Sequence, residues 1–237
     1  KKKEAVSIQL SVRMQAIKAL LTDGYCLADV GTDHGYLPIS LVQEGRFQKA
    51  LAMDVREGPL SRAREHILQA GLSDRIETRL GDGLCALNRG EADHILIAGM
   101  GGGLITRILE EGKEKLTKEE ELLLAPQSEP DKVRRCLERM GYRIVQEDMA
   151  AEDGKYYPML RALPGEMDLS EAEALFGPCL VREKHPVLLE YLKKEKNTLE
   201  KIRGGLGGAY SDRSRERLRE IEGRLEMIAK IVSVQPC

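Results

Sequence analysis

Short apolar segments alternate with helical patterns along most of the 237-residue chain, and this alternation limits the fold more than any other feature. Segments typical of buried strands lie at 25–30, 49–55, 75–80, 93–99 and 121–126. Helical patterns lie at 7–22, 36–44, 59–71, 103–112 and 130–140. Because strands that alternate with helices are joined by crossovers, the pattern predicts a parallel sheet covered by helices on both faces.

Two further strand-like segments follow the alternation, at 142–150 and 155–163, with "AEDG" between them as a hairpin turn. The hairpin would make the last strand antiparallel. We therefore predict an α/β fold with a mostly parallel, seven-stranded sheet, a variant of the doubly wound architecture. This layout resembles that of class I methyltransferases, which have a Rossmann-like domain.

The C-terminal part of the chain has a different pattern. Residues 164–180 are rich in Pro and Gly and are predicted to be a linker after a domain at 1–163. In 181–237, apolar residues recur at three- and four-residue steps in two stretches separated by a Gly-rich segment. This pattern predicts an α-helical coiled-coil hairpin, with Ser211 at the start of its second helix.

Acidic residues and glycines collect where the predicted strands end. The first strand leads into "LADVGTDHGYLP" at 27–38. The residues of interest in this loop are Asp29, Gly31, Thr32, Asp33, His34 and Gly35. Those after the next three strands are Asp54, Val55, Asp82, Gly83 and Gly99 to Gly102, with Met100 among them. Because ligands of doubly wound sheets bind beyond the carboxyl ends of the strands, these residues predict a binding site.

Each of these residues also has a purely structural explanation. Asp54 could cap a helix, and Asp82 could belong to a plain turn. His34 could brace its loop by a hydrogen bond, and Met100 could be a packing residue. Their joint occurrence at the ends of four strands favours a site.

The charges in the first loop indicate which nucleotide cofactor such a site would accept. The spacing of Gly31 and Gly35 departs from the GxGxxG pattern that binds a pyrophosphate. Two carboxylates, Asp29 and Asp33, would repel a pyrophosphate but attract a cation. S-adenosylmethionine, with its amino group and sulfonium, fits these charges.

Composition and charge limit the cellular location and the kinds of partner that we expect. The longest apolar run falls short of the roughly 18 residues of a membrane span, and we expect a cytoplasmic protein without a membrane partner. Five dispersed cysteines without a CxxC pair predict neither a metal site nor a disulfide framework. The net charge is −2, yet residues 178–237 contain 13 Lys or Arg against nine Asp or Glu. That excess hints at an anionic macromolecular partner, although a solvated helix surface would look the same.

Several motifs together identify a family resemblance. "LADVGTDHGYLP", "GPLSRA", "RLGDGL", "IAGMGG" and "LLLAPQ" occur in that order. They resemble the bacterial tRNA (adenine-N1)-methyltransferase family that modifies adenosine 22 in the D-arm region, over nearly the whole chain. The resemblance implies a Rossmann-like methyltransferase domain, a C-terminal coiled coil, S-adenosylmethionine as methyl donor and tRNA as substrate. Ala125-Pro126-Gln127 departs from the Gln-Pro-Asn run more common in the family, although position 127 keeps an amide.

The resemblance also implies roles for particular residues. The loop residues from Asp29 to Gly35 would hold the cofactor, Asp54 and Val55 would flank its ribose and adenine, and Asp82 and Gly83 would contact the adenine. Gly99 and Met100 would border the target base. Asp33, Gly99 and Met100 are catalytic candidates for positioning only, because the N1 lone pair of adenine attacks a methyl group without prior loss of a proton.

Basic residues supply candidate phosphate contacts. Arg13, Arg56 and Lys155 are expected near the rim of the site, and Arg213 and Arg217 belong to a dense basic run on the last predicted helix. Two other functions remain open from the residues alone. One is a small-molecule methyltransferase, although the chain is poor in aromatic residues. The other is a non-catalytic module that binds the cofactor and recruits a partner through the helical hairpin.

Overall fold

The computed structural model describes residues 9–206 and 212–233, and its centre is one seven-stranded sheet. The strands are β1 (Gly24–Val30), β2 (Phe47–Asp54), β3 (Ile76–Leu80), β4 (His94–Ala98), β5 (Glu121–Ala125), β6 (Tyr142–Glu152) and β7 (Lys155–Pro164). Their order across the sheet is β3-β2-β1-β4-β5-β7-β6. β1 to β5 pair in parallel, and β7 pairs antiparallel with both β5 and β6. The predicted sheet is confirmed.

Helices cover both faces of the sheet. The α-helices of the described residues are α1 (Val12–Leu20), α2 (Tyr36–Gln43), α3 (Glu57–Ala70), α4 (Gly102–Glu111), α5 (Pro130–Met140), α6 (Glu171–Phe176), α7 (Pro178–Arg182), α8 (Pro186–Leu206) and α9 (Asp212–Ser233). Side chains of α1, α2 and α3 pack on one face of the sheet, and those of α4 and α5 pack on the other. Neighbouring strand residues alternate between the two cores, as Leu96 and Ile97 of β4 do.

The first helix is shorter than the sequence pattern predicts. It begins at Val12, because the Ser11 hydroxyl caps it by accepting a hydrogen bond from the Met14 N–H at 3.3 Å. The predicted start at residue 7 lies outside the described residues. The helix packs against β6 and β7, which brings its N-terminal end to the carboxyl edge of the parallel strands.

The segment predicted as a linker, 164–180, is folded and largely helical in its second half. Residues from 171 onward form α6 and α7, and Phe176, Cys179 and Leu180 are buried. A buried ion pair fastens this segment: Arg134 of α5 donates to Glu147 of β6 at 2.9 Å, and Glu147 accepts the N–H of Cys179 at 2.9 Å. Pro and Gly mark a helix boundary here, because Pro178 is the first residue of α7 and Gly177, whose φ is +95°, precedes it.

The two long C-terminal helices pack on each other. Buried Leu188, Leu192 and Leu199 of α8 share a core with Ile221, Ile228 and Ile231 of α9. Arg224 of α9 donates a hydrogen bond to Glu195 of α8 at 2.6 Å. Glu195 precedes the end of α8 by about as many residues as Arg224 follows the start of α9, so the two helices run antiparallel. Ile202 and Val232 continue the apolar repeats of the two helices, yet they are 40% and 55% exposed. Ser211 lies outside the described residues, and coiled-coil geometry stays a prediction.

No helix in the described part of the chain is both long and apolar enough to cross a membrane. Within the same residues, no group of three or more His, Cys, Asp or Glu side chains is placed to hold a metal ion.

Candidate active site

A cavity of about 410 Å³ opens at the carboxyl edge of the parallel strands, where the sequence predicts the site. The predicted residues that line it are Asp29, Gly31, Thr32, Asp33, His34, Gly35, Asp54, Gly99 and Met100, together with Arg13 and Arg56. They come from the ends of β1, β2 and β4 and from the start of α1. The parallel order of the sheet thus gathers residues that are far apart in sequence.

The loop after β1 is held against the end of β2. The N–H groups of Gly31 and Thr32 both donate to the carbonyl oxygen of Met53, at 2.7 and 2.8 Å. Gly31 has a φ of +81°, and a Cβ there would lie 2.0 Å from the terminal methyl of Met100. The positive φ favours glycine at this turn, and Met100 packs over it while also lining the cavity.

Two buried carboxyl groups lie in the cavity wall. Asp29 and Asp54 are each 7% exposed. Burial raises the pKa of Asp29 to about 6, and the nearby Asp54 carboxylate acts in the same direction. Asp54 Oδ1 accepts the backbone N–H of Arg56 at 2.8 Å, while Oδ2 has no hydrogen-bond donor among the described residues. The pair makes the inner wall of the cavity negative, and Arg56 partly offsets this charge, since its Nε lies 3.7 Å from Asp54 Oδ1.

The exposed part of the loop is braced by neighbouring side chains. Asp33 accepts a hydrogen bond from Arg62 at 3.2 Å and is 67% exposed in its side chain. The His34 ring stacks on Tyr36 at 5.1 Å between centroids, and His66 Nδ1 lies 2.9 Å from the His34 carbonyl oxygen. His34 Nε2 also lies 3.4 Å from Asp33 Oδ2, and together these contacts support a bracing function for His34.

One buried nitrogen atom of the cavity lacks a partner among the described residues. His34 Nδ1 is buried without a hydrogen-bond partner in the part of the chain described, whereas the Thr32 hydroxyl lies beside the Asp29 carboxyl and lowers its pKa against the effect of burial. A bound ligand with polar groups would satisfy the His34 nitrogen, and the two buried carboxylates would suit a cationic one. These acidic groups therefore fit S-adenosylmethionine, whose amino group and sulfonium carry positive charge.

Three predicted cofactor residues lie outside this cavity lining. Val55 follows Asp54 and is 58% exposed, an apolar side chain in a position to cover a ligand that extends along the sheet edge. Asp82 is half exposed and lies 3.5 Å from Arg107. Gly83, with a φ of +56°, packs on Ile108, which indicates a structural reason for this glycine.

Sequence reasoning did not assign Gln127, which also lines the cavity. Its N–H donates to the carbonyl oxygen of Met100 at 2.8 Å, and the N–H of Gly102 donates to the carbonyl oxygen of Ser128, also at 2.8 Å. These bonds fasten the loop after β5 to the loop after β4. The only signal in the sequence was an amide in the run Ala125-Pro126-Gln127.

The candidate phosphate contacts divide into two groups. Arg13 and Arg56 lie at the cavity, as predicted, and Lys155 is exposed at the turn end of β7. Arg213 and Arg217 are exposed on α9, where Arg217 pairs with Glu220 at 2.8 Å.

Several known proteins resemble this chain in sequence and in structure. Residues 27–230 match the family described as tRNA (adenine(22)-N(1))-methyltransferase, TrmK. The chain is 35% identical to the enzyme of that name from Bacillus subtilis over 232 residues, 95% of this chain and 98% of the relative. The structure of Streptococcus pneumoniae Sp1610 with S-adenosyl-L-methionine is 36% identical, with a TM-score of 0.85 and coverage of 94% and 100%. The structure of M. capricolum TrmK with S-adenosyl-homocysteine is 28% identical, with a TM-score of 0.81 and coverage of 95% and 99%.

Proposed function

The chain belongs to the tRNA (adenine(22)-N(1))-methyltransferase family, and from this membership we propose that its own cavity binds S-adenosylmethionine and that it methylates N1 of adenosine 22 in tRNA. The observation that supports the proposal most is the cavity with two buried acids at the carboxyl edge of β1, β2 and β4, in a family in which one solved relative holds this cofactor and another holds its product. No observation favours a small-molecule substrate or a non-catalytic module.

The reaction needs little acid–base chemistry from the protein. When bound, S-adenosylmethionine supplies a methyl group, whose bond to sulfur breaks with both electrons going to sulfur as the N1 lone pair of adenine forms the new bond. The product base carries the positive charge that the sulfonium loses. What remains for the protein is to orient both partners and exclude water, which accelerates bimolecular reactions strongly.

The buried acids hold the cofactor in this proposal. Asp29 faces the cationic amino group of the methionine part, and Asp54 accepts the ribose hydroxyls through its unpartnered Oδ2. Thr32 and His34 provide the buried polar atoms that complete the contacts. Val55, Asp82 and Gly83 are assigned to the adenine side of the cofactor, along the exposed edge beyond β2 and β3.

The catalytic candidates act by position. Gly99 leaves the end of β4 without a side chain between cavity and substrate, and Met100 packs over the cofactor loop. Asp33 is paired with Arg62, so we assign it to the rim and assign no general base.

Phosphates of tRNA would contact the basic residues around this edge. Arg13, Arg56 and Lys155 are proposed for the rim, and Arg213 and Arg217 for the helical pair α8–α9. The proposed boundaries stay at 1–163 and 181–237, with α6 and α7 joining the two parts. A tRNA substrate is consistent with work in the cytoplasm.

The proposal is tested by transfer of a labelled methyl group from S-adenosylmethionine to unmodified bacterial tRNA, with nucleoside mass spectrometry of the product. We expect label in 1-methyladenosine at position 22 and its loss in Asp29→Asn, because the neutral amide no longer attracts the cation. A tRNA with guanosine at position 22 is the matched control. Absence of label with the cofactor bound, or label in another nucleoside, would refute the proposed substrate.

A further inference from the structure

A second cavity, of about 510 Å³, adjoins the cofactor cavity. It lies between the loop after β5, the β6–β7 hairpin and helices α6 to α8. Gln127 lines both cavities. A second connection is the contact of Arg13, in the cofactor cavity, with Tyr157, in the second one: the guanidinium lies 4.9 Å from the ring centroid. The two cavities therefore share a wall formed by these side chains.

The shared wall is held rigidly. Besides the backbone bonds that join the loops after β4 and β5, Gly102 allows their close approach, since a Cβ there would lie 2.2 Å from the Glu129 carbonyl oxygen. Glu129 itself adopts a left-handed backbone, with φ of +51°. The Gln127 side-chain amide has no hydrogen-bond partner among the described residues. The backbone of this exposed residue is fixed by its bond to Met100, so the amide presents a carbonyl acceptor and an NH2 donor group beside the shared wall.

The second cavity is the aromatic part of an otherwise aromatic-poor chain. Tyr156 is committed to the fold, because its hydroxyl donates to Glu190 at 2.7 Å and its ring packs edge-on against Tyr191. Tyr157 is different. Its only recorded ring contact in the described residues is with Arg13, and its side chain is partly exposed. A ring placed this way offers a stacking surface beside the wall that carries Gln127.

We propose that the second cavity receives the unstacked target adenine, with Tyr157 as its stacking platform and Gln127 as the residue that reads its N6 amino group. This inference rests on the proposed function, and it adds where the base binds and how adenine is distinguished. Enzymes that modify bases read an extruded base through its Watson–Crick edge and stack it on aromatic rings.

The chemistry of the two edge atoms explains the choice of adenine. An amide oxygen at Gln127 accepts a hydrogen bond from the N6 amino group, and this leaves the adjacent N1 lone pair free toward the cofactor cavity. Guanine presents a carbonyl oxygen and a protonated N1 at the same positions, so it has neither the donor nor the nucleophile. A site that pairs with a substrate N–H also discriminates strongly against a base without it.

The experiment compares tRNA with adenine and tRNA with 2-aminopurine at position 22, since 2-aminopurine lacks the N6 amino group. We expect the wild-type kcat/KM to fall about tenfold or more with 2-aminopurine, and we expect Gln127→Leu to treat the two substrates alike. Loss of discrimination between the two bases in Gln127→Leu would identify Gln127 as the hydrogen-bond partner of the N6 amino group. A merely structural defect would lower the activity on both substrates and leave their ratio unchanged.

Tyr157 is tested in parallel. Tyr157→Ala should raise KM for tRNA about 10- to 100-fold, the range expected for a lost stacking contact, while Tyr157→Phe stays within about twofold. Calorimetric affinity for S-adenosyl-homocysteine should be unchanged in Tyr157→Ala. Tyr25→Ala, at an exposed tyrosine at the opposite edge of the sheet, is the matched control and should behave as wild type.

The proposed function and the assignment of the second cavity would be overturned by different results. Wild type that does not methylate tRNA refutes the proposed function itself. Wild type that methylates tRNA while Gln127→Leu keeps full discrimination, or while Tyr157→Ala keeps the wild-type KM, overturns the assignment of the second cavity.

Discussion

Asp29 is a carboxyl group that the fold keeps away from water at the end of β1. Its pKa of about 6, against 3.8 for the free side chain, means that ionisation costs the empty protein about 3 kcal/mol. Because the folded pKa is the higher one, this loss of stability develops as the pH rises from about 4 to about 6. A cationic ligand offsets the cost, so the buried acid selects for positive charge in the cofactor.

The same group predicts a pH dependence of cofactor binding. Protonation of Asp29 removes the attraction, so affinity for S-adenosylmethionine should fall about tenfold between pH 7.5 and pH 5. Calorimetric titration at the two pH values measures this effect. Asp29→Asn should bind weakly at both pH values and should be more stable than wild type without ligand at pH 7.5.

Asp29→Asn also isolates this carboxyl from the other titratable groups of the cavity, Asp33, His34 and Asp54. If the variant kept the wild-type pH dependence, the change would originate in one of those groups, and the role given to Asp29 would be wrong.

At the scale of elements, the segment of α6 and α7 joins the helical pair α8–α9 to the sheet. Arg134 and Glu147 are at most 1% exposed in their side chains, and together they bind carbonyl and N–H groups of this segment. Gly177 lies directly over the pair. A Cβ at Gly177 would lie 2.6 Å from Glu147 and 2.9 Å from Arg134.

Gly177→Ala should therefore lower the free energy of unfolding by about 3 kcal/mol, because it strains a positive φ and disturbs a buried ion pair. Urea denaturation measures the loss. Gly71→Ala is the matched control: Gly71 has a φ of +70° with nothing within 4 Å of its Cβ position, and the cost there should be about 1 kcal/mol. Equal losses in both variants would contradict a structural role for the ion pair.

At the scale of the whole molecule, the question is whether the helical pair α8–α9 contacts RNA. Removing the chain from residue 178 would not answer it, since Cys179 and Leu180 belong to buried clusters of the fold. Substitution of the exposed Arg213 and Arg217 by Gln leaves these clusters intact.

If both arginines contact phosphates, the double variant should lower the slope of log Kd for tRNA against log salt concentration by about two, because each contact releases about one counterion. Fluorescence anisotropy across a salt series measures the slope. A double change of Arg89 and Lys113 to Gln, at exposed positions on the opposite edge of the sheet, should leave it unchanged. An unaltered slope in the Arg213 and Arg217 variant would show that these residues do not contact phosphates.

Sequence patterns alone predict the order of strands and helices through the sheet, because hydrophobic periodicity and Gly or Pro at element ends are local properties. They also locate the acids and glycines of the cofactor loop, since ligand sites of such sheets follow from strand ends. These predictions include Asp29, Gly31 and Asp54, which the sheet brings into one cavity.

The tertiary structure decided what depends on residues far apart in the chain. Pro and Gly at 164–180 indicate breaks but cannot show that Glu147, in β6, captures the segment between them. Gln127 became a candidate only when two loops were seen to pack together, and Tyr157 only when its ring was found facing Arg13 beside a second cavity. Periodicity records which side of an element is buried, whereas the partner that buries it is set by long-range packing.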